Sequence, residues 1–111
     1  MMRIALPIDK ESLSLQFEDS HYFNVFSVKK QKIIEDDLVV NPSLDPEQLA
    51  KWFVEEGITD VIAYKISGKM IENLNKNKIN VFVGVESKDP EILVQELVNG
   101  ILETDGKVIE Q

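Results

Sequence analysis

The sequence predicts an α/β fold of three layers: helices on both faces of a five-stranded mixed sheet, strand order 3-2-1-4-5, with strand 2 antiparallel. Three observations carry this. Two β-branched and aromatic runs, "HYFNVFSV" and "IIEDDLVV", are separated by "KKQK", the layout of an antiparallel hairpin. After residue 45, short apolar runs alternate with helical periodicity, which is the pattern of strand–helix–strand units with parallel strands and right-handed crossovers. The strands near both ends of the chain are hydrophobic, so both faces of the sheet need cover.

The elements follow in order. Residues 3–8, "RIALPI", are apolar and bounded by Asp9, a buried strand. Pro7 lacks a backbone donor and belongs near the strand end or at a gap in the ladder. Residues 9–20, "DKESLSLQFEDS", read as a loop whose leucines and Phe17 tuck inward. Residues 21–28 and the run ending at residue 40 form the hairpin, and Glu35, Asp36 and Asp37 suit an exposed or edge position. Asp45 then caps a helix, with Pro46 in its first turn, Leu49, Trp52 and Phe53 on one face, and Gly57 as its stop. "ITDVIAY" (58–64) is the fourth strand. "SGKMIENLNKN" is a short helix capped by Ser67, with Met70, Ile71 and Leu74 inward. "INVFVGV" (79–85) is the fifth strand. "DPEILVQELVNGIL" repeats the Asp-Pro-Glu start, with Ile92, Leu93, Leu97, Ile101 and Leu102 as an apolar stripe. The tail "ETDGKVIEQ" reads as extended or frayed.

The 111 residues suit one domain, 1–111. The absence of cysteine excludes disulfides, thiolate-held zinc and conventional thiolate ligation of an iron–sulfur cluster. A net charge of −8 argues against nucleic acid, whose phosphates call for cationic partners. The opening run is too short in apolar residues for a signal peptide, and no window approaches the ~20 apolar residues of a membrane span. A soluble cytoplasmic protein without membrane contact is the expectation.

In open α/β sheets, ligands bind outside the carboxyl ends of parallel strands where neighbouring connections diverge. Here that geometry brings the loop after Ile8-Asp9 towards Tyr64-Lys65-Ile66-Ser67-Gly68-Lys69, with Gly84 to Glu86 alongside. The join at 64–69 has two readings. The amides of Gly68, Lys69 and Met70 open a helix without internal acceptors, and with Lys65 and Lys69 they could hold an anion. Alternatively, Ser67 caps the helix and both lysines face water. Neither GxxxxGK[ST] nor GxGxxG is present. Asp9 could serve as ligand or base, or close a turn. His21, the single histidine, reads as structural, as does Trp52. The Glu18-Asp19 pair reads as a solvated loop.

Four stretches, "MRIALPID", "LSLQFEDSHYFNVFSV", Asn41-Pro42 and "GITDVIAYKISGKMIENLNKNKINVFVG", resemble the dinitrogenase iron–molybdenum cofactor biosynthesis family over residues ~2–103. The resemblance implies a ribonuclease-H-like α/β/α sandwich, with no nuclease activity attached, and binding of iron–molybdenum cofactor or its iron–sulfur precursors. Two departures stand out. Where the family commonly reads Ser-x-His-Phe-Gly, this chain has Ser14-Leu15-Gln16-Phe17-Glu18. Where it commonly reads Ala-Gly-Gly-Ile-Gly, this chain has Ala63-Tyr64-Lys65-Ile66-Ser67. A potential metal ligand and four flexible backbone positions are replaced by side chains.

The leading expectation is a non-enzymatic binding domain of this kind for a small anionic or metal-containing ligand. Asp9, Gln16 and Phe17 come from the first loop, and Lys65, Ser67, Gly68 and Lys69 from the second. The alternative is a structural or protein-interaction module with a degenerate ligand site, marked by Tyr64 and Phe17 filling the space. A hydrolase or transferase built on Asp9 is the weakest reading, since the local sequence supplies no second catalytic group.

Overall fold

The computed structural model describes residues 1–10 and 12–106, and the backbone of 109–110. The chain is a mixed α/β fold with a mixed sheet and, among the described residues, three α-helices. Strand β1 (Met2–Asp9) lies at the middle of the sheet. A short strand β2 (Ser12–Leu13) folds back on its end, pairing Ile8 with Leu13 and Asp9 with Ser12. Strands β3 (Tyr22–Lys29) and β4 (Lys32–Val40) form the hairpin, antiparallel to each other, with β3 antiparallel to β1. Helix α1 (Pro46–Glu55) leads to β5 (Asp60–Ile62), parallel to β1. The short β6 (Ile66–Ser67) runs straight into α2 (Gly68–Lys76). Strand β7 (Asn80–Phe82) is parallel to β5, and α3 (Pro90–Val98) follows. The main path is β4-β3-β1-β5-β7, and β8 (Ile109–Glu110) pairs with β6 in a separate two-stranded sheet.

The sheet therefore has six strands, not five. The added strand falls inside the 9–20 segment read as loop. Its two residues are too few to show periodicity, and Lys10, at φ 62°, turns the chain so tightly that Ser14 N–H reaches Pro7 O at 2.7 Å. The tail expectation falls partly outside the described residues; its 109–110 backbone is paired with β6.

Alternation of side chains along the strands divides the core in two. Ala5, Phe23, Val25, Val61 and Ala63 face α1 and α2, meeting Leu49, Ala50, Phe53, Met70 and Leu74. Ile4, Leu6, Ile8, Phe26, Val28 and Ile62 face α3, meeting Leu93 and Val94. All three helices start on a side-chain cap: Asp45 accepts from Gln48 N–H at 2.9 Å, Ser67 from Met70 N–H at 3.1 Å, and Asp89 from Glu91 N–H at 2.9 Å. Helix α1 is closed by Glu56 as C-cap and then Gly57, whose φ of +76° is the left-handed stop its residue type allows. The stripe expected over 92–102 is shorter in fact. Gly100, at φ +73°, follows the end of α3 at Val98, leaving Ile101 exposed, and Ile92 turns outward.

Candidate functional site at the loop–helix join

The two segments expected to meet do so at the carboxyl side of the parallel strands. Gln16 and Lys65 form an isolated parallel bridge, and Phe17 N–H donates to Lys65 O at 3.1 Å. The first loop is tied down by its own polar residues. Ser14 Oγ–H donates to Asp9 Oδ2 at 2.7 Å, and Ser20 Oγ–H to Phe17 O at 3.2 Å. Asn41 Nδ2–H donates to Ser20 O at 2.8 Å and to Glu18 O at 3.3 Å. Asn41 was legible only through its place beside Pro42 in the resemblance; its clamp on a loop more than twenty residues away in sequence was not.

Glu18 is the residue that sequence reasoning misplaced. Its Oε1 accepts from Ser67 N–H at 3.1 Å and from Ser67 Oγ–H at 3.0 Å, while Ser67 Oγ caps Met70 N–H. A carboxylate belongs electrostatically at the positive end of a helix. The join therefore has the geometry of a capped helix start: Ser67 Oγ takes the Met70 amide, and Glu18 takes the amide and hydroxyl of Ser67 rather than the amides of Gly68 or Lys69. Glu18→Gln is expected to lower folding stability by about 0.5–1 kcal/mol, because the neutral amide oxygen accepts the same bonds less strongly. Urea denaturation of both proteins reads this directly.

The other expected site residues separate into distinct surroundings. Phe17 is fully buried, with its ring 5.2 Å from Phe23 and 5.9 Å from Phe53, so it is core and has no free face for a ligand. Lys65 Nζ lies 6.0 Å from the Tyr64 ring centre, at the outer limit of a cation–π contact. Lys69 is exposed and stands over a hollow shared with Asp45, Glu47 and Glu72. Gly68 opens α2 behind the Ser67 cap.

Asp9 lies between Ser14 and His21, whose N–H and Nδ1 both approach its Oδ1 at 3.1 Å. The Ser14 hydrogen bond, with those from His21, holds its carboxyl below the usual range. A proton relay to a serine nucleophile needs histidine between serine and carboxylate. Here the carboxylate sits between the other two, and Ser14 is buried. The arrangement closes a turn rather than activating a nucleophile.

At the ends of β5 and β7 a hollow of about 380 Å³ is lined by Tyr64, Gly84, Glu86, Lys88, Glu96, Glu103 and Asp105, among others. Lys88 is paired with Glu96 at 3.2 Å, so the hollow is acidic overall. Among the described residues no group of three or more His, Cys, Asp or Glu side chains is placed to hold a metal ion. Nor is any helix among them long and apolar enough to cross a membrane.

The family model described as dinitrogenase iron-molybdenum cofactor matches residues 1–100. The chain belongs to this family. Solved structures share its fold. The protein PH0822 superposes with a TM-score of 0.84 at 24% identity, over 95% of this chain and 97% of that one. The apo orange protein of Desulfovibrio gigas gives 0.78 at 17%, over 96% and 94%. A candidate dinitrogenase of Methanocaldococcus jannaschii gives 0.77 at 22%, over 95% of each chain. No curated protein matches the chain.

Within the dinitrogenase iron-molybdenum cofactor family, this chain's join does not fit an iron–molybdenum or iron–sulfur group. Thiolates, the usual cluster ligands, are absent. The single histidine is engaged by Asp9, Gln16 pairs through its backbone with Lys65, and Glu18 takes the amide and hydroxyl of Ser67. The hollow nearest the strand ends carries the wrong charge for an anionic cluster.

Proposed function

We propose that this protein is a non-enzymatic binding domain of the dinitrogenase iron-molybdenum cofactor family that works through protein contact, its loop–helix site being closed from within. The domain spans residues 1–111, on a sheet of the ribonuclease-H-like kind used purely as scaffold. The observation that carries the reading is the Glu18 carboxylate on Ser67, at the helix end where an external anion would bind. The placement of Asp9 between Ser14 and His21 supports a role without catalysis.

Anaerobic titration with isolated iron–molybdenum cofactor, and separately with a synthetic iron–sulfur cluster, tests this by visible absorption and thermal shift. The wild type is expected to show no saturable absorption change and no rise in Tm. Saturable binding by the wild type would overturn the reading. A second reading, a carrier of small anionic or metal-containing ligands, is favoured by the meeting of the two loops at Gln16 and Lys65. In that reading Glu18 swings aside to admit the ligand, so wild type binds and Glu18→Ala binds more tightly.

A further inference from the structure

Strand β4 is nine residues long and ends the sheet, with no described residue paired along its outer side; its register on β3 shifts at Ile34, so the regular part of the edge runs from Glu35 to Val40. A long open edge of unpaired peptide groups is a template for another strand. Ile34, Leu38 and Val40 are 57%, 62% and 67% exposed on it. Between these apolar positions lie Glu35, Asp36 and Asp37, at the strand's centre.

That acidic centre decides what can pair there. A second copy approaching antiparallel about the midpoint would set Asp36 against its own equivalent, and Glu35 against Asp37. Like charges directly opposite are destabilising. Glu35 already meets Asp37 on its own strand; their mutual hydrogen bond and like charge raise the Glu35 carboxyl above its ordinary range. On the opposite face, Asp36, which accepts from Asn24 Nδ2–H, and Leu38 line a hollow of about 480 Å³ together with Phe26, Asp89, Glu91 and Lys10. The edge is therefore apolar at its ends, acidic at its centre, and bordered by further carboxylates.

We infer that the outer edge of β4 accepts, as an added strand, an extended segment of a protein partner carrying consecutive basic residues between apolar ones. This rests on the reading of the protein as a protein-binding domain and gives it a surface and a partner chemistry. Main-chain hydrogen bonds supply the affinity, and cations opposite Glu35, Asp36 and Asp37 supply the selection.

The test uses the intact chain and an end-capped peptide with a run of lysines between valine–threonine flanks. A control peptide of identical charge is N-methylated at alternate amides so that it cannot add to an edge. Binding is followed by amide chemical shifts and hydrogen exchange. The first peptide is expected to bind saturably and protect amides of β4. N-methylation is expected to weaken binding about tenfold or more, and so is the triple change Glu35→Lys, Asp36→Lys, Asp37→Lys. Should the triple variant misfold, Glu35→Gln with Asp37→Asn is expected to show a smaller loss of the same sign. Equal binding of both peptides would overturn the inference. So would shifts centred on Glu86, Glu96 and Glu103, the absence of binding, or sedimentation showing β4-mediated dimers instead. Cofactor titration is independent of these readouts. Cofactor binding by the wild type removes the protein-contact reading, whereas failure of the peptide removes only this surface.

Discussion

Phe17→Ala is expected to cost about 3–5 kcal/mol of folding stability, the range for truncating a buried phenylalanine. For a domain of this size that is about 15 °C in Tm. The ring is fully buried and leans on both Phe23 and Phe53, the latter an edge contact. It pins the first loop to the face of the sheet covered by α1 and α2, so its removal leaves a void where loop, strand and helix converge. Guanidinium denaturation measures the loss. Phe17→Leu, which keeps most of the volume, is expected to lose distinctly less. A surface or ligand-contacting Phe17 would predict a loss below about 1 kcal/mol for the alanine change, so the measurement separates core from site.

Gly84→Ala is expected to cost about 2–4 kcal/mol, combining left-handed backbone strain with a collision that neither side can easily relieve. Gly84 has φ +74°. A Cβ built there would stand 2.2 Å from Asp105 O and 2.6 Å from Asp105 N. The approach is close because Asp105 N–H donates to Val83 O at 2.8 Å, extending the main-chain pairing beyond β7. Relief requires the 101–106 segment to lift from the strand end. Denaturation should show the lower midpoint, and hydrogen exchange should show the Asp105 amide exchanging faster. An unchanged midpoint would mean that this segment does not sit tightly on Gly84 in solution.

The fold was legible where local signals agreed with global need. Asp45, Ser67 and Asp89 each announced a helix start, and the runs of β1 and β5 announced burial; the run of β7 did not, since Asn80 is exposed and Val81 and Phe82 are half-buried. Strand β2 escaped because two residues carry no period. Phe17 was expected to point inward and also to meet a ligand; its rings on both sides leave only the first role. Glu18 was harder. Beside Asp19 in a polar loop it reads as solvated, and its partner Ser67 lies 49 residues away. A capping serine advertises the helix end but not which acceptor will arrive there. The lysines show the same limit: their charge is evident, yet the packing of α1 against α2 makes Lys69 share a hollow with Asp45 and Glu47.

Because Glu18 is joined covalently to the loop that Asn41 and Ser20 hold, it confronts the start of α2 at an effective concentration on the order of millimolar. A free anion must exceed that standing competitor before it occupies the helix end. Sulfate or phosphate held no more tightly than a carboxylate would therefore leave Glu18 in place at lower concentrations, and a small molecule that displaced it would have to carry its own recognition of the neighbouring side chains.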